Sequence, residues 1–186
     1  MKRLFDIFFS IILISLLLPI FLIIYIGILF LDKFNPLYFS KRIGKKNKIF
    51  LMPKFRTMKI NTPQKATNKL KNPNKYITSL GKILRKSSFD ELPQLFSVLF
   101  GDMSLVGPRP ALYNQKTLIK LRTLKKIHLM LPGITGLAQT KGRDNLTVKE
   151  KVYYDEIYFK NKSIVFDLKI ILDTVNAIIK TKSIKH

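Results

Sequence analysis

SSFDELPQLFSVLFGDMSLVGPRP, residues 87–110, predicts a short helix over DELPQLFSVLFG running into a loop that Gly101, Gly107, Pro108 and Pro110 constrain. At the helix start two carboxylates, Asp90 and Glu91, stand side by side. The pair is conspicuous because the chain carries 34 Lys and Arg against 11 Asp and Glu, a formal charge of +23. Between Lys33 and Phe89 there are 16 basic residues and no acidic one. If Asp90 is the N-cap, Pro93 falls in the first turn, where a missing N–H costs little. Helix capping alone accounts for the pair, and Ser88 with Glu91 offers a capping box as a variant of it. The alternative is chemical. Two acids inside a cationic half-molecule can hold a divalent cation against a phosphate, or supply a nucleophile and a base for phosphoryl transfer.

Arg109 lies between two prolines, so its backbone has little freedom. A restrained guanidinium suits two-pronged phosphate binding, and equally suits a structural ion pair. Arg56, Arg85 and Arg143 are weaker candidates of the same kind, and Asp102 reads as a turn residue. The chain has no Cys, which excludes disulfides, thiol nucleophiles and Cys-ligated metals. Two histidines, His128 and His186, cannot build a His-rich metal site. A metal, if used, is a hard cation on oxygen ligands. No P-loop, dinucleotide fingerprint or G-x-S-x-G elbow occurs.

Upstream, Ile7 to Leu31 runs 25 residues without a charge, long enough at about 1.5 Å per residue to cross a bilayer. Basic residues flank it on both sides: Lys2 and Arg3 before, Lys33 and the 41–48 cluster after. A spanning helix puts one basic end on the unfavoured side, whereas a re-entrant helix keeps both in the cytoplasm. Pro19 permits a kink, since it leaves the Ser15 carbonyl without its helical partner. Asp6 is expected in the headgroup zone or paired with a basic neighbour.

Between anchor and helix, YFSKRIG and KIFLMPKFRTM predict a hairpin around a Lys–Gly turn, and residues 61–76 a polar surface loop. ITSLGKILRKSS predicts a short helix before Asp90. Downstream, residues 115–131 predict one long amphipathic helix for the core or the lipid surface, stopped by Pro132 and Gly133. Residues 134–150 read as irregular, and LTVKEKVYYDEIYF and SIVFDLKIILDTVNAIIK as closing helices. The sum is an α+β fold: an N-terminal membrane helix, amphipathic helices and a small β-hairpin or sheet. It divides into an anchor, 1–33, and a second domain, 34–186.

The sequence closely resembles the bacterial sugar transferases, the monotopic phosphoglycosyl transferases. The matching segments are K-R-x-x-D at Lys2–Asp6, KFRTM at 54–58, SSFDELPQL, GDMSLVGPRP, PGITGLAQ, GRD at 142–144 and SIVFDLKIILDT at 163–174. The resemblance implies transfer of a sugar-1-phosphate from a UDP-sugar to undecaprenyl phosphate with release of UMP, the first membrane step of glycan assembly. It implies Asp90 as nucleophile, forming an aspartyl–phosphosugar, with Glu91 as base. It implies Mg²⁺ beside Asp90, and phosphate contacts from Arg85, Arg109 and Arg143. It implies a re-entrant anchor broken at Pro19 with Ser15 satisfying freed backbone, at the cytoplasmic face of the bacterial inner membrane. The 115–131 helix would then lie in the interface, and an apolar face at the membrane leaves room for a homodimer. Ser97, Lys141, Val148 and Glu156 depart from the family's usual residues, away from the acidic pair. The competing class is a non-enzymatic, membrane-anchored basic module for anionic lipid or nucleic acid. It gives the FDELPQ and GDMSLVGPRP blocks no purpose, and no nucleic-acid motif supports it.

Overall fold

The computed structural model describes residues 1–33, 35–63, 72–142 and 145–179. The chain opens with α1 (Lys2–Gly27), which continues as a wider π-helical turn to Asp32. This run is one helix long and apolar enough to cross a membrane. Helical geometry passes through Pro19, which lies inside α1 and not at its end. Much of its surface is bare: Leu4, Phe8, Leu16, Leu22 and Ile23 are exposed.

The anchor's first residues are fastened by polar contacts. Lys2 donates to Asp167 at 2.5 Å, and Asp167 is fully buried. Arg3 donates to the carbonyls of Val98 and Leu99, in the last turn of a short helix. Asp6 faces the protein interior, and no ion pair joins it to a basic neighbour among the described residues. It is buried, and accepts from the Ser104 hydroxyl at 2.8 Å and the Leu105 N–H at 3.1 Å. Burial of that carboxylate is tolerated because the domain supplies donors to it.

The predicted hairpin forms as β1 (Leu37–Ile43) and β2 (Ile49–Phe55), antiparallel, with Leu37 opposite Phe55 and Ile43 opposite Ile49. Arg56 is spent on this hairpin: it donates to the carbonyls of Asn35 and Leu37. Then come α2 (Ser79–Ser87), capped by the Thr78 hydroxyl, and α3 (Gln94–Phe100), ended by Gly101 at φ +99°. β3 (Ser104–Val106) and β4 (Ala111–Leu112) follow. β4 completes a three-stranded antiparallel sheet in the order β2-β1-β4.

α4 (Lys116–Leu124) is shorter than the helix expected over 115–131. It stops because Lys126 takes φ 58°, and a separate 3₁₀ turn holds Ile127–Leu129. Part of its apolar surface points inward, while Leu124 is exposed. Leu118 and Ile127 are buried with Ala111 and Val152 in a second, smaller core. β5 (Gly133–Thr135) pairs in parallel with β3. α5 (Leu137–Thr140), α6 (Val148–Asn161), with a capping box between Thr147 and Glu150, and α7 (Ile164–Ile179) complete the chain. Like α1, α7 carries an outward apolar stripe: Val165, Leu168, Leu172 and Val175 are all exposed at near-heptad spacing.

The main core gathers residues from nearly every element, Ile28 of the anchor run, Met52, Leu84, Val98, Val106, Tyr158 and Ile170 among them. Tyr158 also donates its hydroxyl to Asp167 at 2.6 Å, so the anchor's start, β3, α6 and α7 meet at one polar knot inside apolar surroundings.

Candidate active site

Ser88 takes a left-handed conformation (φ 60°, ψ 16°), which ends α2 and turns the chain into a single 3₁₀ turn over Phe89–Glu91. Asp90 is therefore not the N-cap of a helix, and no capping box forms at Ser88. α3 begins only after Pro93 and has no side-chain cap. The two acids sit on a connector, and both turn toward one strand. Lys54 of β2 donates to Glu91 Oε1 at 2.6 Å and lies 3.9 Å from Asp90 Oδ2.

Arg109 closes the other side. Its guanidinium reaches Glu91 Oε1 at 2.9 Å and Oε2 at 3.5 Å. Arg85, in the last turn of α2, is near enough to pull on the Asp90 charge. Arg42 of β1 feels both Glu91 and Arg109 while donating to the Pro110 carbonyl. Four cations thus surround two carboxylates, and the surplus positive charge suits a polyanion.

The electrostatics follow from enclosure. Asp90 is held above the usual carboxylate range, first by burial and then by Glu91, while Lys54, Arg85 and Arg109 pull it back. Burial lowers the Lys54 ammonium, with Arg109 adding and Glu91 opposing. Arg42 is pushed down to about 10 by burial and by Arg109, which leaves it charged at neutral pH.

Arg109 is placed by two pieces of local structure. Gly107 and Gly133 pack backbone to backbone, with the Gly107 N–H on the Thr135 carbonyl and the Gly133 N–H on the Pro108 carbonyl, both at 2.9 Å. Behind the loop, Arg122 of α4 donates to the Arg109 carbonyl at 2.8 Å and pairs with Asp155 of α6 at 2.7 Å. Asp155 is 2 % exposed, so its charge depends on Arg122. Arg122→Ala is expected to cost about 3–5 kcal/mol at neutral pH by stranding that carboxylate. Burial already holds Asp155 above the ordinary range, so part of the loss returns as pH falls and the group protonates. Thermal melts in detergent at pH 7 and pH 5 check both.

Of the residues expected at the site, Asp90, Glu91, Arg85 and Arg109 come together. Arg143 lies outside the described residues. Lys54 and Arg42 were missed, although Lys54 sat within KFRTM. Its signal was phase: Lys54 falls two residues from buried Met52, on the same face of β2, where an unpaired charge is out of place. Among the described residues no group of three or more His, Asp or Glu lies close enough to hold a metal by itself.

A family model described as bacterial sugar transferase matches residues 1–181. Among curated proteins, the chain is 37 % identical to an uncharacterized sugar transferase of Haemophilus influenzae, over 96 % of this chain and 41 % of that protein. It is 40 % identical to a UDP-glucose:undecaprenyl-phosphate glucose-1-phosphate transferase of Klebsiella pneumoniae, over 94 % and 39 %. It is 37 % identical to the uncharacterized sugar transferase EpsL of Bacillus subtilis, over 100 % and 91 %. The chain therefore spans about two fifths of the larger relatives and nearly all of the smaller one.

Proposed function

Because the chain belongs to the bacterial sugar transferase family, we propose that it transfers a sugar-1-phosphate from a UDP-sugar to undecaprenyl phosphate. The supporting observation is the pair Asp90–Glu91 set among Lys54, Arg85, Arg109 and Arg42. The names of related proteins supply the substrate classes, a UDP-sugar and undecaprenyl phosphate. Release of UMP and the two-step route are our reading.

In the first step an Asp90 carboxylate oxygen attacks the sugar-bearing phosphorus. The bond from that phosphorus to the bridging oxygen breaks, and UMP leaves with the electron pair. In the second, an oxygen of the acceptor phosphate attacks the same phosphorus, Asp90 departs as carboxylate, and a polyprenyl diphosphosugar results. Any proton on the attacking phosphate passes to Glu91. Glu91 is clasped by Lys54 and Arg109 before substrate arrives. An entering diphosphate competes for those two cations, which frees Glu91 to act as base and gives the phosphates their counter-charge.

The donor set fits Mg²⁺, which takes one or two carboxylates and completes its shell with phosphate and water. Asp90 would hold it, and bound there it would neutralise diphosphate charge. Arg85 and Arg143 are proposed as further phosphate contacts beside Arg109.

The proposed placement is the cytoplasmic face of the inner membrane, with residues 1–33 as a re-entrant anchor and 34–186 as the catalytic domain. Both ends of the run are fastened to the same domain, as a re-entrant path requires: Asp6 near its start accepts from Ser104 and Leu105, and Ile28 near its end is buried in the main core. The exposed α7 stripe would rest against the same leaflet.

The test is UMP release by purified protein in lipid particles with Mg²⁺ and a panel of UDP-sugars, with and without undecaprenyl phosphate. Multiple turnovers that need the lipid phosphate are expected with at least one donor. Multiple turnovers without it would mark a hydrolase instead.

A further inference from the structure

A groove of about 300 Å³ runs between α1, α3, α5 and α7, beside the acidic pair. Leu13 and Leu17 of α1 and Leu95 of α3 line it, with Ala177 of α7. Ser88, Thr140 and Glu91 also form part of the wall. Asp90 is not among the described residues that line it.

We propose that this groove seats the acceptor: the first isoprene units of the polyprenyl chain lie against Leu13, Leu17 and Ala177, and its phosphate lies toward Glu91. The inference rests on the transferase reading and adds to it which face of the turn takes which substrate.

Three observations carry it. First, the wall is mainly apolar, a poor lining for a uridine, a sugar or a diphosphate and a good one for hydrocarbon. Second, two of its residues belong to α1, whose neighbouring Leu16 and Leu18 are exposed, so the groove is continuous with the surface that meets lipid. Third, Glu91 lines the groove and Asp90 does not, while the cations Lys54 and Arg109 are absent from the lining described. A donor held on the cationic side and an acceptor entering from the apolar side would meet across the Asp90–Glu91 turn. The volume stands at the low end of the range for ligand pockets, about 300–1,000 Å³. It holds the head of a long chain and leaves the remainder in the bilayer.

The test separates the two half-reactions. A rapid-mixing burst of UMP without acceptor counts competent sites, and steady-state turnover then gives KM for undecaprenyl phosphate. Ala177→Trp, directed into the groove, is expected to raise that KM roughly tenfold, the factor that two displaced methylenes are worth, in protein whose burst is retained. If Ala177→Trp shows no burst, Ala177→Leu replaces it, with a smaller rise expected. In wild-type protein, a polyprenyl phosphate carrying a photoreactive group in its first isoprene units is expected to label α1 and α7 peptides. Unchanged acceptor KM with retained burst, or labelling confined to other elements, overturns the groove assignment and leaves the transferase reading standing. Absence of any burst from wild-type protein with every donor overturns the reading beneath it as well.

Discussion

Asp90→Asn is expected to abolish transfer and to make the protein more stable. Loss of the nucleophile should lower acceptor-dependent UMP release by at least about 10⁴-fold, the scale seen when a covalent catalyst loses its attacking group. The stability change has the opposite sign. Burial raises Asp90 above its unfolded value, so the ionised group opposes folding at neutral pH, and that cost is relieved as pH falls through the folded value. An amide carries no such charge. A gain of about 1 kcal/mol, or about 2–4 °C in melting temperature, is expected at pH 7 and should vanish in acid. The same shift predicts a rate profile in wild-type protein whose acid limb begins above the ordinary carboxylate range, because attack needs the ionised form. Melts and single-turnover rates at several pH values read both.

Gly133→Ala is expected to be the most damaging change to the fold. A Cβ there would lie 2.1 Å from the Gly107 nitrogen and 2.4 Å from the Thr135 oxygen. Both are backbone atoms of the paired β3–β5 segments, so nothing flexible can yield. The strands must separate, and with them the loop that holds Arg109. A loss above about 4 kcal/mol is expected, a large part of the 5–15 kcal/mol that holds a domain together. The measured result would be a melting temperature more than about 8 °C lower, or no folded protein. Gly27→Ala is the control: its Cβ would meet only the Leu80 side chain, at 3.3 Å, which can shift.

What could be read from residues alone follows a physical division. Patterns carried by local chemistry were legible: the uncharged run in α1, the hairpin around Gly44, the short α2 and the closing α6 and α7. Contacts made across the chain were not. Asp6 looks like a charge stranded beside a membrane until Ser104 and Leu105, about a hundred residues away, supply its donors. Lys54 looks like one more member of a basic run until folding sets it between Asp90 and Glu91. The capping reading of Asp90 failed because a serine, a residue with no special liking for positive φ, takes the left-handed position at 88. That residue moves the helix start past Pro93 and leaves both acids on a connector, facing one strand. The 115–131 helix failed at Lys126 for the same reason: a positive φ that composition does not announce.

Two of the blocks that carry the family resemblance acquire a shared purpose in the structure. GDMSLVGPRP and PGITGLAQ are the two sides of the β3–β5 pairing, and the interlock of Gly107 with Gly133 aims Arg109 at Glu91. Arg122 and Asp155 support the same residue from behind. The acidic turn is therefore fixed by one strand on one side and a braced loop on the other, which is the preorganisation that phosphoryl transfer draws upon.

The most direct measurement is the mass of the protein itself. Protein incubated with Mg²⁺ and a competent UDP-sugar, without acceptor, is quenched and digested, and the peptide spanning Phe89–Leu95 is weighed. The account predicts that this peptide gains one phosphosugar at Asp90, and that adding undecaprenyl phosphate before the quench removes it. Product formation by protein that never carries the adduct, or an adduct located at Glu91, would contradict it.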